Sequence, residues 1–110
     1  MRLLMHKLMA DEPVAVHFNS FEEAKIFYEE MKRNYPEKVR GWSHVIYAKR
    51  DEERGGVCYC PYFNSEYGSM THASRYTYEE YGTRIVEFYE LLSDESEIAE
   101  SEIPVVFLLN

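Results

Sequence analysis

The sequence predicts an α+β fold, a mostly antiparallel sheet with one main helix, at about residues 20–33, packed on one face. Short stretches rich in valine, isoleucine and aromatic residues recur along the chain, and turns containing glycine or asparagine separate them. One stretch with a helical spacing of apolar residues lies between the first two of these. The predicted order is strand, helix, three strands, short helix and strand, followed by a C-terminal strand. A chain of 110 residues suits a single domain over 1–110.

The first strand is predicted at residues 13–18, where apolar residues alternate with others. Successive side chains of a strand point to opposite faces, so Val14, Val16 and Phe18 share one face. His17 belongs to the other face, where we expect it to meet solvent or the edge of a helix.

The main helix follows the first strand directly. Ser20 and Glu23 have the spacing of a capping box, in which the serine hydroxyl accepts from the backbone N–H three residues on and the glutamate reaches back. The next apolar residues recur at i, i+3, i+4 and i+7, as on one face of a helix: Ala24, Phe27, Tyr28 and Met31. Pro36 disfavours helical backbone at the residue before it, so the helix should end near residue 33 or 34.

The second and third strands are predicted at residues 42–48 and 57–60. The segment between them, residues 51–56, is charged and ends in two glycines, which favour a tight turn. We therefore expect these two strands to pair as a hairpin.

The last part of the predicted sheet comprises a short strand, one turn of helix and a strand rich in β-branched residues. Thr77 suits the N-cap of the short helix and Gly82 suits its C-terminal end. We place these three elements at residues 69–74, 77–82 and 83–88.

The charge of the chain is concentrated at one end. Twenty acidic and twelve basic residues give a formal net charge of −8. Residues 1–76 contain eleven of each sign, whereas residues 77–110 contain nine acidic residues and one basic residue, Arg84. This distribution argues against direct binding of nucleic acid through phosphate contacts. The segment 93–102 is strongly acidic and can solubilise the protein or attract a basic partner.

Other features favour a cytoplasmic protein without a membrane span. No apolar run approaches the length that a transmembrane helix needs. The apolar stretch at the N-terminus is short and is interrupted by His6 and Lys7, unlike a secretory signal. Two cysteines do not make a disulfide framework, which favours a reducing compartment.

The C-terminal segment 103–109 is almost entirely apolar. We expect it to be a strand, because an apolar end that followed only a solvated linker would be a liability. Two alternatives remain open: the segment completes the sheet of its own chain, or it builds a homodimer by pairing with a second subunit.

The pair Cys58-x-Cys60 is the first candidate for chemistry. Both sulfurs of such a strand pair lie on one face, and His44 or His72 could supply further metal ligands. Structural zinc sites, however, use a C-x₂₋₄-C spacing, so we expect two small buried residues and no metal. The four histidines follow no metal-binding spacing, and no glycine-rich phosphate loop occurs. We therefore expect neither a cofactor nor enzymatic activity.

Several segments together resemble a group of small accessory proteins encoded by bacteriophages, prophages and plasmids, largely of Gram-positive bacteria. The residues that carry this resemblance are 16–18, 20–24, Trp42, 57–59 and 78–88. The resemblance covers residues 14–92, departs from the pattern at Thr83, where an aromatic residue is usual, and does not extend beyond Ser93. It implies a context and no catalytic residue: many such proteins have no assigned role, and inhibitors of host defence recur among small acidic phage proteins.

These observations favour a non-enzymatic interaction protein that binds and inhibits a host nucleic-acid-handling defence protein. Ten tyrosines and the acidic C-terminal third suit such an interface, since carboxylates can mimic the negative charge of a phosphate backbone. The predicted partner-binding residues are Glu87, Glu90, Asp94, Glu95, Glu97, Glu100 and Glu102. The alternative is a binder that sequesters a nucleotide signal in an aromatic and arginine-lined pocket. The residues predicted for that pocket are Arg33, Arg40, Trp42, Tyr47 and Tyr59.

Overall fold

The structure is a computed structural model, and it describes residues 3–63 and 68–92. Four strands lie within these ranges: β1 (Val14–Phe18), β2 (Val57–Cys60), β3 (Thr71–Ser74) and β4 (Arg84–Glu87). Three α-helices accompany them: α1 (Phe21–Asn34), α2 (Lys49–Glu52) and α3 (Arg75–Glu80). Short 3₁₀ helices cover Met5–Leu8, Pro36–Val39 and Phe88–Leu91. The predicted acidic segment 93–102 and the predicted strand 103–109 lie outside the described residues.

The strands form one mixed sheet in the order β3-β2-β1-β4. β2 pairs antiparallel with both β1 and β3, and β4 pairs parallel with β1. In the parallel pair, Val16 lies opposite Val86 and His17 lies opposite Glu87. The predicted α+β class, with one main helix packed on the sheet, is confirmed.

The main helix α1 forms as its sequence predicts. The backbone N–H of Glu23 donates to the Ser20 hydroxyl over 3.2 Å, and the Glu23 carboxylate accepts from the backbone N–H of Asn19 over 2.8 Å. The four residues of the predicted apolar stripe are all buried: Ala24, Phe27, Tyr28 and Met31. They pack in the main core with the β1 residues that were predicted to share one face, Val14, Val16 and Phe18.

The strand predicted at residues 42–48 is wrong. This segment forms no ladder with the sheet, and α2 follows it and overlaps the first two residues of the stretch predicted as a hairpin turn. Both edges of β2 are occupied, by β1 on one side and by β3 on the other, so no ladder position remains for residues 42–48. The segment instead lays Trp42 over the core, where its ring stacks on Tyr28 with 6.0 Å between centroids.

The short helix α3 begins two residues earlier than predicted, and its N-cap is Ser74 in place of Thr77. Ser74 ends β3 with extended backbone angles, and its hydroxyl accepts from the backbone N–H of Thr77 over 3.2 Å. Gly82 follows the helix with a positive φ of 71°, which suits the predicted C-terminal position.

The two faces of the sheet are covered by different elements. The α1 face, defined as the face that carries Val16 and Phe18, packs against α1 and contains most of the buried apolar residues. The α3 face carries Ala15, Cys58 and Cys60, and Tyr78 of α3 packs against it. His17 also belongs to the α3 face, because it alternates with Val16 and Phe18 along β1.

Candidate functional site

His17 is buried between two hydrogen-bond acceptors on the α3 face. Its side chain contacts Glu87 Oε1 through Nδ1 over 2.7 Å and the Gly55 carbonyl oxygen through Nε2 over 3.0 Å. Each ring nitrogen of a histidine can donate a hydrogen bond when it carries the proton, and here each of them faces an acceptor. The residue is only 7% exposed. The prediction that His17 meets solvent or a helix edge is therefore wrong, because the 53–56 turn and β4 bring acceptors to both sides of its ring.

Glu87 links this histidine to helix α3. Its Oε2 accepts from Arg75 Nη1 over 2.7 Å, and Arg75 Nε donates to Glu79 over 3.1 Å. Partial burial by itself raises the pKa of Glu87, but the hydrogen bonds and charges of Arg75 and His17 outweigh it, so the pKa lies below its usual value. We refer to His17, Glu87, Arg75 and Glu79 as the ion-pair network.

Gly56 allows the close approach of this network to the 53–56 turn. Its φ is +112°, a conformation that side-chain-bearing residues rarely adopt. A Cβ atom at this position would lie 2.1 Å from His17 Nε2. Gly56 is therefore required twice: its backbone conformation forms the predicted turn, and its lack of a side chain leaves room for the buried His17 ring.

The ion-pair network fixes an element that displays tyrosines to solvent. Tyr76 in α3 is 50% exposed and Tyr81, directly after α3, is 79% exposed. Tyr89, in the 3₁₀ helix after β4, is 60% exposed. Exposed glutamates lie in the same stretch of chain. We refer to these residues as the tyrosine–acid segment: Tyr76, Glu79, Glu80, Tyr81, Tyr89 and Glu90.

The structure places two of the predicted partner-binding residues. Glu87 is turned into the ion-pair network, where its two carboxylate oxygens contact His17 Nδ1 and Arg75 Nη1. Glu90 is exposed, and its Oε1 accepts from the backbone N–H of Glu87 over 3.0 Å as part of a capping box. The other five predicted residues lie outside the described ranges: Asp94, Glu95, Glu97, Glu100 and Glu102.

A cleft of about 380 Å³ opens beside the ion-pair network. It is lined by Glu53, Arg54, Gly55, Tyr76 and Glu79. The Arg54 guanidinium lies over the Tyr76 ring at 5.2 Å from its centroid, a distance typical of a cation–π contact. The exposed ring of Tyr76 therefore has one charged neighbour from the 53–56 turn and another, Glu79, from its own helix.

The structure brings together two of the five residues predicted for a nucleotide pocket. The ring of Trp42 meets that of Tyr59 edge-on, with 5.0 Å between centroids, and Trp42 Nε1 donates to the Met70 carbonyl over 3.2 Å. Tyr59 is wholly buried, and its hydroxyl donates to the Ile46 carbonyl over 2.5 Å. The Tyr59 ring is also packed against Phe18, so it has no face for a ligand.

The other three predicted pocket residues do not join this pair of rings. Arg33 is exposed on α1 and pairs with Glu30 over 2.6 Å. Arg40 is exposed, and among the described residues neither arginine bonds to the predicted aromatic rings. Tyr47 is half-buried against Phe21, and burial, followed by its contact with Glu52, raises its pKa.

Cys58 and Cys60 share the α3 face, as their spacing predicts, and both are buried free thiols. Burial raises the pKa of Cys58 to about 12 and also raises that of Cys60. The thiolate is the nucleophilic form of cysteine, so both groups are held in their unreactive form. Over residues 3–63 and 68–92, no three histidine, cysteine or acidic side chains gather as a metal site would require.

In comparisons with known proteins, no family model matches the chain, and neither curated proteins nor solved structures gave a match. None of the helices in the described part of the chain has the length and apolar character needed to cross a membrane.

The ion-pair network is the feature that sequence reasoning missed. His17 and Glu87 meet because β1 and β4 pair in parallel with these two residues opposite each other. No local pattern encodes that register, since the two strands are far apart in the chain. The one available signal was the pair of glycines at 55 and 56, and it indicated only a turn.

Proposed function

We propose that this protein is a non-enzymatic interaction protein of a mobile genetic element, acting in the host cytoplasm. In this proposal its acidic C-terminal third and the exposed tyrosines of the tyrosine–acid segment bind and inhibit a host protein that handles nucleic acid in defence. The observation that carries the proposal is the tyrosine–acid segment, in which Tyr76, Tyr81 and Tyr89 are at least half exposed among glutamates.

Exposed tyrosines suit a protein-binding role. Tyrosine combines a large apolar ring with a polar hydroxyl, and it is enriched at interfaces and among the residues that dominate binding energy. The five large apolar residues that are most exposed in the described chain include three tyrosines, and all three belong to the tyrosine–acid segment. The other two, Met9 and Phe21, lie in separate elements.

The charge of the same region favours a basic partner surface. Nine of the twenty acidic residues lie within 77–110, against Arg84 alone. Proteins that handle nucleic acid bind phosphates through lysine and arginine, so their binding surfaces complement such a region. Attraction between the two surfaces would also raise the association rate.

The sequence predicts that Glu87 contacts the partner directly, but in this proposal the ion-pair network gives it a positioning role. Glu87 holds Arg75, and thereby α3, against the sheet through hydrogen bonds of 2.7 Å on both of its oxygens. We therefore assign Glu87 to positioning Tyr76 and Tyr81, and Glu90 with the carboxylates at 94–102 to direct contact with the partner.

The test is capture of host proteins from a lysate of a Gram-positive bacterium by the immobilised protein. Three forms are compared: the wild type, a Tyr76→Ser/Tyr81→Ser/Tyr89→Ser variant, and the matched Tyr→Phe triple variant that keeps the rings. We expect the Phe variant to capture the same proteins as the wild type and the Ser variant to lose them. Equal capture by all three forms would show that the tyrosines are not the interface.

A second series tests the charge. Glutamine or asparagine at Glu90, Asp94, Glu95, Glu97, Glu100 and Glu102 should weaken capture stepwise, chiefly through the association rate, because charge pairs at the rim of an interface are individually weak. The glutamine at position 90 can still accept the capping hydrogen bond. Unchanged binding and unchanged salt dependence in the full set would contradict the acidic part of the proposal.

A further inference from the structure

A basic cleft lies at the edge of the sheet formed by β4, on a protein that is otherwise acidic. Its volume is about 500 Å³. Three basic side chains line it together with three apolar ones: His6, Lys7, Arg84, Met9, Ala10 and Val86. We refer to this feature as the basic cleft. Glu90 is the only residue that it shares with the tyrosine–acid segment.

Contacts between the two ends of the described chain assemble this cleft. Parallel pairing of β1 with β4 sets Arg84 opposite Val14, just after the N-terminal 3₁₀ helix. The backbone N–H of Leu4 donates to the Leu91 carbonyl over 2.6 Å, which fixes the N-terminal 3₁₀ helix beside the 3₁₀ helix that follows β4. Backbone pairing between the two ends of the described chain therefore brings the basic side chains at positions 6, 7 and 84 to one place.

The basic side chains of the cleft form no ion pair within the described chain. Over residues 3–63 and 68–92, the side chains of Arg84 and His6 form no hydrogen bond or ion pair. Lys7 Nζ donates to the Glu90 carbonyl over 2.8 Å, which positions the ammonium group and leaves its other two N–H groups for a ligand. By contrast, Arg33 and Arg75 are both paired with carboxylates.

Glu90 is the one carboxylate in the lining, and part of its hydrogen-bonding capacity is already used. Its Oε1 accepts from the backbone N–H of Glu87 in the capping box of the last 3₁₀ helix. No ion pair joins its carboxylate to Arg84 or Lys7 in the part of the chain that the structure describes. The cleft thus combines unpaired cations with an apolar side formed by Met9, Ala10 and Val86.

We propose that the basic cleft binds a small organic anion, whose carboxylate or phosphate group contacts Arg84 and Lys7. The planar guanidinium of an arginine binds either group with two parallel hydrogen bonds, and a lysine adds a point charge. A short apolar part of the ligand packs on Val86, which shares its strand face with Arg84, and on the half-exposed side chain of Met9. This site does not depend on the proposed interaction function.

The test is a titration of the ¹⁵N-labelled full-length protein, monitored by NMR, with inorganic phosphate and butyrate as separate probes. We expect saturable shifts of the amides around His6, Lys7 and Arg84 with at least one probe. Tighter binding of butyrate assigns the site to carboxylates, and tighter binding of phosphate assigns it to phosphorylated ligands. The absence of saturation with both probes would overturn the proposal.

Matched charge variants separate this site from general attraction of anions. Arg84→Gln should weaken binding about tenfold, as expected for one charge-assisted contact, and Lys7→Gln should also weaken it. Arg33→Gln removes the same charge from an exposed arginine outside the cleft and should leave binding unchanged. Equal binding by Arg84→Gln and the wild type, or equal losses in Arg84→Gln and Arg33→Gln, would overturn the proposal. Melting curves confirm that each variant is folded.

Discussion

The two faces of the sheet are held by different kinds of interaction. On the α1 face, aromatic rings interlock: Phe18 lies 5.5 Å from Phe27 and 4.7 Å from Tyr59 between centroids. On the α3 face, small cysteines leave the contact with α3 to Tyr78 and to the ion-pair network. The first face buries the larger apolar surface. The second contains the partly exposed ion pair of Arg75 with Glu87.

This difference assigns a separate task to each face. Apolar burial stabilises in proportion to area and has little directionality, so the α1 face supplies most of the stability. Charge-assisted hydrogen bonds are directional, and the bonds from Glu87 to His17 and Arg75 fix where α3 lies. Changes on the α1 face should therefore unfold the protein, and changes on the α3 face should displace the exposed tyrosines at a smaller cost in stability.

The largest effect is expected on the α1 face. Phe27→Ala removes a wholly buried ring and should lower the free energy of unfolding by about 3–5 kcal/mol. Phe21→Ala, at the start of the same helix, is the control, because Phe21 is 44% exposed and its loss should cost less than about 1 kcal/mol. Urea titration of both variants measures the difference. Equal losses of unfolding free energy in the two variants would show that the apolar stripe of α1 does not contribute more to stability than its exposed residues.

The next effect concerns the contact between the 53–56 turn and His17. Gly56→Ala should cost about 2–4 kcal/mol, because it strains the backbone and displaces the His17 ring from the Gly55 carbonyl. Gly82→Ala is the matched control: Gly82 also has positive φ, but its added Cβ would meet nothing within 4 Å. Only the backbone penalty of about 1–2 kcal/mol should remain there. If thermal unfolding showed the same loss of stability for both variants, the close approach of Gly56 to the His17 ring would be contradicted.

Glu87→Gln tests the ion-pair network through pH. The folded pKa of Glu87 is below its ordinary value of 4.5, so the carboxylate stabilises the fold above that pH and loses its contribution as the pH falls through the folded pKa. At pH 7 the variant should be about 1.5 kcal/mol less stable than the wild type. The difference should shrink below pH 4.5 and vanish at lower pH. A difference independent of pH in urea titrations would show that the charge of Glu87 is not the cause.

The smallest effect is expected at the cysteines. The thiolate fraction of Cys58 is very low at neutral pH, because burial raises its pKa to about 12. Iodoacetamide should therefore leave Cys58 and Cys60 unlabelled in the native protein and label both in urea. Mass spectrometry measures the two states. Rapid labelling of the native protein would show that the cysteines on the α3 face are accessible to the reagent.

Local patterns predicted the parts of this fold that depend on neighbours in the chain. The capping box at Ser20 and the apolar stripe through Phe27 both lie within one helix, and both are confirmed. The prediction of a strand at 42–48 was wrong because composition does not show whether a neighbouring strand has a free edge for pairing. In this sheet β1 and β3 already occupy both edges of β2. Burial of His17 likewise depends on the register of β1 against β4, which no segment encodes alone.

The sequence predicts which types of residue make up the candidate site, but it does not predict how they are arranged in space. The sequence shows the acidic bias after residue 76 and the abundance of tyrosine. It could not show that Glu87 turns inward to Arg75, because their contact depends on how α3 packs against β4. It also could not show that Tyr76, Tyr81 and Tyr89 are the exposed tyrosines of this region while Tyr78 is buried, since that depends on which side of α3 meets the sheet.

Competition with nucleic acid tests whether the acidic C-terminal third occupies a nucleic-acid-binding surface of a host protein. Host protein captured on the immobilised wild type is challenged with duplex DNA and, separately, with RNA at constant salt. We expect one of these nucleic acids to displace the captured protein in proportion to its concentration. We also expect capture to weaken as salt rises to physiological strength, where the Debye length is about 8 Å. Retention of the captured protein at saturating DNA and RNA would show that the acidic C-terminal third does not occupy such a surface.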